Sequence, residues 1–320
     1  MIKTEKNEAA QQQDYFEVAP GVWGMKDIFV NFYMIRDKSS EDWVLVDAGL
    51  KISRSKILKM ASALFGNHKP KAIILTHGHF DHTGSAESLA QEWKIPVYAH
   101  YLEFPYLSGI SAYPPPDPSV GGGWMSTISR FYRKEPIDIS SLLSALPETN
   151  EVPFLSEWKY IHTPGHSPGH ISLFREQDKT LIAGDAFVTT KPESLISTIT
   201  QKVKVYGPPM YFTCDWESAE QSVRTLVELV PAVAATGHGK PLSGQELTHQ
   251  LQNLADNFRT EALPEKGRYL DEPAIADASG VLYVPPKPAA KTNNWMMATG
   301  MILTGLLAMS IVRYLKNDYR

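Results

Sequence analysis

The sequence predicts an α/β protein with a central two-sheet core, followed by a membrane-spanning helix at the C-terminus. Three observations lead there. Short β-rich runs alternate with helical ones through both halves of the chain, polar residues gather just past the strand ends, and a long uncharged stretch lies near the end.

In chain order, strands are expected at Val22–Met25, Phe29–Arg36 and Trp43–Val46, the last closing on Asp47-Ala48-Gly49. A helix follows over Ser53–Phe65, where Ile57, Leu58, Ala61, Leu64 and Phe65 recur at helical spacing and Gly66-Asn67 ends it. Lys71–Thr76 (KAIILT) is a buried-strand run that leads directly into His77-Gly78-His79-Phe80-Asp81-His82. Ser85–Trp93 is helical, Pro96–Ala99 is a strand, and the Pro- and Gly-rich stretch Pro105–Gly123 is a loop fit to be a lid or pocket wall. The second half repeats the style. Strands at Tyr160–His162, Ile171–Phe174 and Thr180–Ala183 flank the loop TPGHSPGH and the pair Gly184-Asp185. Asp215 caps a helix reaching to about Val230, and a last strand, Pro231–Ala235, ends in Thr236-Gly237-His238-Gly239.

Composition narrows the function. With 320 residues, 43% hydrophobic and 21% charged, the chain can bury a large core and is not disordered in bulk. A net charge of −4 leaves no excess of Lys and Arg to follow a phosphate backbone, so a small-molecule substrate is expected and nucleic acid is not. The single cysteine, Cys214, allows no internal disulfide and reads as a small buried residue. The N-terminus shows no apolar stretch resembling a signal peptide, and the catalytic part is therefore expected on the cytoplasmic side.

Trp295–Val312, WMMATGMILTGLLAMSIV, carries no charge, and its length nearly crosses a bilayer core. Trp295 on one side and Arg313, Tyr314 and Lys316 on the other look like interfacial anchors. The expected organisation is a tail over 1–14, a catalytic domain over 15–250, an extension with a Pro-rich linker over 251–292 and a membrane anchor over 293–315.

The chemistry lies in His77, His79, Asp81 and His82. Three imidazoles and a carboxylate within six residues cannot all be core, and packing them together is electrostatically awkward without a cation. Residues two apart in an extended loop point alike, so His77 and His79 can share one ion while Asp81 and His82 face a second. Further donors stand after later strands, beside glycine: His166, Asp185 and His238.

THGHFDHTG (76–84) resembles the signature of the metallo-β-lactamase superfamily, and TPGHS, AGDAF and TGHG resemble its later motifs in order and spacing, over about residues 15–244. The resemblance implies an αββα sandwich with two divalent metal ions between the sheets at one edge. Zinc is the expected ion, with manganese or iron as rivals. By motif, His77, His79 and His166 would hold one ion, Asp81, His82 and His238 the other, and Asp185 both; Asp47 would orient the loop from behind. His170 is read as a supporting residue, and His162, His100 and His68 as surface or satisfied histidines.

Two such ions would bring a bridging water to near-neutral pKa and provide hydroxide to attack an ester-like carbonyl or phosphoryl centre. Asp81, besides ligating, could orient the water and carry its proton to the leaving group. Di-iron redox members of the superfamily carry Glu where this chain has His79, and β-lactamases differ at the position of Asp185, which resembles glyoxalase II, ribonuclease Z and lactonase types. Many lactonases of this superfamily place a Tyr a few residues after that Asp. Here Phe187-Val188 follows, and Tyr206 or Tyr211 are the candidates to substitute. The helix GQELTHQLQNLADNFR lacks the basic cluster of a glutathione-binding enzyme. The apolar GPPMYF segment and the proline-rich loop favour a mainly apolar lactone, thioester or carboxylic ester. The rival readings are a ribonuclease Z-type phosphodiesterase or nuclease, whose basic arm is not found, and a β-lactamase-like amidase. A membrane-tethered scaffold with a relict site is disfavoured by the full ligand set.

Overall fold

The computed structural model describes residues 14–194, 197 and 203–287. Its first sheet runs β1 (Tyr15–Ala19), β2 (Val22–Asp27), β3 (Val30–Arg36), β4 (Trp43–Val46), β5 (Ala72–Ile74), β6 (Val97–Ala99) and β7 (Leu143–Ala145), each beside the next. The pairing is antiparallel up to β4 and parallel beyond it. The second sheet holds β8 (Glu151–Val152), β9 (Leu155–His162), β10 (Ile171–Arg175), β11 (Thr180–Gly184), β12 (Val233–Thr236) and β13 (Leu242–Ser243) in the order β13-β12-β11-β10-β9-β8.

Side-chain parity builds the layers, because alternate residues of a strand face opposite ways. In β3 and β4, Tyr33, Ile35, Val44 and Val46 pack between the sheets against Trp158, Ile171, Leu173 and Ile182. Their neighbours Phe32, Met34, Trp43 and Leu45 turn outward, onto helices α1 (Arg54–Phe65) and α3 (Ala86–Trp93). These strands are buried on both faces, which is why they read as continuous apolar runs rather than as alternation. Phe174, Leu181 and Ala183 pack outward in the same way against α6 (Trp216–Glu228) and α7 (Gly244–Asp256). The result is an αββα sandwich. Between α1 and α3 lies the single turn α2 (Phe80–Thr83), and α4 (Phe104–Leu107) and α5 (Trp124–Ile128) belong to the long excursion from β6 to β7.

Strand direction assembles the site. β4, β5 and β6 run parallel, and β9, β11 and β12 run alike because β10 is antiparallel to both β9 and β11. Every polar cluster noted in the sequence follows one of these strands, so all of them emerge at one edge. There the sheets are joined by backbone bonds from Ile171 N–H to Thr76 O (2.9 Å) and from Asn31 N–H to Gly237 O (2.7 Å).

Beyond residue 256 the chain stays on the outer layer of the second sheet, where Phe258, Ala262 and Tyr269 join its core. It also ties down the proline-rich loop: the Tyr269 hydroxyl donates to Pro115 O (2.6 Å) and Arg268 N–H to the Asp117 carboxylate.

The expected transmembrane anchor, and the membrane location inferred from it, must be corrected. No helix among the described residues is long and apolar enough to cross a membrane. A span needs about 20 apolar residues in one helix, whereas α6 and α7 have 13 each and bury only one face. The stretch 295–312 lies outside the described residues.

Candidate metal centre

The first motif is shaped from behind by Asp47, which follows β4 and adopts a left-handed backbone, φ 59°. Its Oδ1 accepts the Thr76 N–H (2.8 Å), while Oδ2 accepts the Thr76 hydroxyl (2.8 Å) and meets His82 Nδ1 (2.8 Å). One buried carboxylate therefore holds both ends of the loop. It also occupies His82 Nδ1, so that Nε2 faces the centre. The turn α2 brings Asp81 and His82 round after the extended His77-Gly78-His79.

The other donors come from the second sheet. His166 Nε2 lies 3.0 Å from His79 Nδ1, and its Nδ1 is 3.4 Å from the Thr213 hydroxyl. Asp185 is placed by its own N–H, which donates to His170 Nε2 (2.8 Å); His170 Nδ1 is in turn bonded to Thr163 Oγ1 (2.8 Å). His170 thus acts on the centre through Asp185. His238 Nδ1 donates to Phe29 O (2.7 Å), turning Nε2 inward. The loop around His238 is clamped by Asn31, whose amide donates to Thr236 O (2.8 Å) and Gly239 O (2.6 Å).

Three groups of donor atoms converge within 4.8 Å: His77, His79 and His166; Asp81, His82 and His238; and, between them, His77, His82 and Asp185. Asp185 Oδ2 stands 3.5 Å from His166 Nε2, 3.7 Å from His82 Nε2 and 3.1 Å from His238 Nε2. It therefore reaches members of both outer groups. Asp81 Oδ2 lies 3.6 Å from His238 Nε2 and 4.0 Å from His82 Nε2.

These groups are buried, and burial sets their protonation first. It pushes His77 and His79 well below the ordinary histidine value, aided by neighbouring imidazoles, and holds His166 at about 4. Burial opposes charge on His82 and His238 too, but Asp47, Asp185 and Asp81 outweigh it at His82, as Asp185 and Asp81 do at His238, so both rise. Burial would raise Asp185, yet His238 and His82 outweigh it and hold its carboxyl well down, whereas burial prevails at Asp81 and raises it.

The donor set fits divalent metal. Among the described residues His77 Nε2, His82 Nε2 and Asp185 Oδ1 are buried with no hydrogen-bond partner, and such atoms in a folded interior are rare unless something else satisfies them. Imidazole and carboxylate are the ligands that zinc and its neighbours take.

An aromatic cluster borders the donor residues. Phe80, Met125, Ile128, Tyr132, Tyr211 and Phe212 form one buried cluster, and Phe212 stacks on His79 with ring centroids 4.4 Å apart. Of the two tyrosines singled out in the sequence, Tyr211 is part of this cluster and feels the charges of Asp81 and Asp185. Tyr206 is only half-buried, pairs through its backbone with Val188 and lies beneath Lys204. Cys214 is buried, its thiol pushed up to about 12 by burial and then by Asp215. His68 is exposed; His162 meets Pro168 O (2.8 Å) and stacks with His100.

A two-sheet sandwich with such a cluster at one edge defines a metallo-hydrolase architecture. Residues 25–238 match the metallo-beta-lactamase superfamily, and the chain belongs to that family. It is 44% identical over 245 residues to the probable metallo-hydrolase YflN of Bacillus subtilis (strain 168), covering 76% of this chain and 93% of that one. A second B. subtilis protein, the probable metallo-hydrolase YybB, is 30% identical over 205 residues, 64% of this chain and 79% of the other. A beta-lactamase domain protein from Burkholderia ambifaria shares the fold, with a TM-score of 0.54 at 19% identity over 79% of each chain. The chain is a metallo-hydrolase.

Proposed function

We propose that this metallo-hydrolase cleaves an ester-like bond, in a lactone, thioester or carboxylic ester, of a small and mainly apolar molecule. The observation that carries the reading is the aromatic cluster, which gives a substrate lying against Asp81 and His79 apolar rings to contact.

His77, His79 and His166 would hold one ion, Asp81, His82 and His238 a second, and Asp185 both. Bound divalent metal, zinc first among the candidates, would supply an acidified water and polarise the carbonyl under attack. The chain's own part is placement. Asp47, His170 and Phe29 O each engage one side of a donor residue and leave the other side inward. Asp81, beside the cluster, would hold the proton released by the water and pass it to the leaving group. Phe212 and Tyr132 would exclude bulk water from that transfer.

The test is the full chain, loaded with zinc or manganese, against lactones, thioesters, carboxylic esters, a cephalosporin and a phosphodiester, with Asp81→Ala as control. Turnover of one ester class, lost in the control, is expected. Preferential cleavage of the phosphodiester or cephalosporin would overturn the substrate class, and a chain that binds no metal would overturn the mechanism.

A further inference from the structure

We propose that Glu103 is a positioning residue for the metal centre, its carboxylate joining the His77-Gly78-His79 loop to the His166 loop and setting the spacing of that three-histidine group. The inference rests on the ligand reading above and adds a residue outside every motif that resembles the family.

Glu103 ends the 3₁₀ turn Tyr101–Glu103 after β6 and is 1% exposed. An ionised carboxylate offers about four acceptor positions, and all are used. Oε2 accepts the Gly78 N–H (2.8 Å) and the Tyr113 hydroxyl; Oε1 accepts the Gly169 N–H (2.7 Å) and the Ser167 hydroxyl (2.9 Å). Burial pushes this carboxyl up, and the four donors oppose the rise.

The donors are not scattered. Gly78 is the residue between His77 and His79, and Ser167 and Gly169 follow His166, so one side chain from the first sheet's edge fixes two loops that emerge from different sheets. Tyr113, the fourth donor, lays its ring against His79 with centroids 4.6 Å apart. Space for the carboxylate depends on glycine at both loops. A Cβ at Gly169 would stand 2.8 Å from Glu103 Cγ, and one at Gly78 would stand 2.4 Å from the Tyr113 hydroxyl oxygen. Glycine is required at these two places by close approach, not by a turn.

A role confined to stability would weaken both ions alike, whereas a positioning role is selective. The full chain, Glu103→Gln and Tyr113→Phe are stripped of metal and titrated with cobalt(II), following ion stoichiometry, the visible spectrum of each bound ion and the melting temperature of the metal-free form. In Glu103→Gln an amide N–H faces one of the two donor pairs, and the affinity of the three-histidine ion should fall about 10–100-fold. Its absorption band should shift while the second ion's stays in place. Tyr113→Phe keeps three donors, should fold as the parent does, and should show a smaller loss at the same ion. Unchanged isotherms, or equal weakening of both ions in step with a lower melting temperature, would overturn the positioning role while leaving the ligand reading intact. An unaltered chain that takes up no cobalt would overturn both.

Discussion

Gly237 shows how closely the centre is built around single atoms. A Cβ there would stand 2.0 Å from Asp185 Oδ1 and 2.8 Å from His82 Cε1, and the backbone cannot withdraw, because its N–H donates to Gly184 O (2.8 Å) and its carbonyl accepts from Asn31. Gly237→Ala is therefore expected to displace Asp185 or His82 and lose bound metal, measured as ions per chain, while the sandwich still melts cooperatively. Full metal content in that variant would refute the packing argument. The donor residues themselves were legible because each sits in a short polar motif after an apolar run, and such runs end where strands end. Asn31 and Glu103 were not. Each is one polar residue among apolar neighbours, and its partners are 205 and 208 residues away for Asn31 and 25 and 66 away for Glu103. Only the pairing of strands brings them together.

Among elements, α6 was the most readable helix, since its cap is local. Asp215 Oδ1 accepts the Ser218 N–H (3.0 Å) and Oδ2 the Ser218 hydroxyl (2.6 Å). Asp215→Ala should cost about 0.5–2 kcal/mol of stability, read as a lower urea midpoint at unchanged slope; no change would show that packing alone holds the helix end. The excursion from β6 to β7 was hard to read for the opposite reason. Its helices α4 and α5 have 4 and 5 residues, too few for a 3.6-residue period to show. What holds the excursion is distant: Met125 N–H, in α5, donates to Glu193 O, and Asp117 N–H, between the two helices, to Tyr211 O. The sequence marked Pro105–Gly123 as a loop, fit to be a lid or pocket wall, but the place of Val120, Met125, Ile128 and Tyr132 in one cluster with Tyr211 and Phe212 is a property of contact, not of pattern. The C-terminal apolar run taught the converse, because composition alone led to an anchor that no described helix supports.

At the scale of the whole molecule the two sheets are pinned at both edges, and β3 takes part in both. Its first residues hold the His238 loop at the metal edge, and Asp37, just past its end, holds the second sheet at the opposite edge. Asp37 Oδ1 accepts the Ser156 N–H (2.9 Å) and hydroxyl (2.8 Å), while Oδ2 accepts from Ser39 and Ser40. Burial would raise this carboxyl, but the hydrogen bonds from Ser39, Ser156 and Ser40 outweigh it and hold it at about 2, below the ordinary 3.8. A folded-state value below the unfolded one means that the stabilisation is fully present above about pH 4 and is lost as pH falls toward 2. At neutral pH the difference corresponds to about 2 kcal/mol. Asp37→Asn should be less stable than the parent by that order at pH 7, and the gap should close between about pH 4 and pH 2. Urea melts of both proteins across that range, in chelator so that metal loss does not enter the difference, measure it directly. A gap that stays constant down to pH 2 would mean that Asp37 contributes shape rather than charge, and that the far edge of the sandwich is held by Arg175, whose guanidinium donates to Pro20 O (3.0 Å), and by the inter-sheet core.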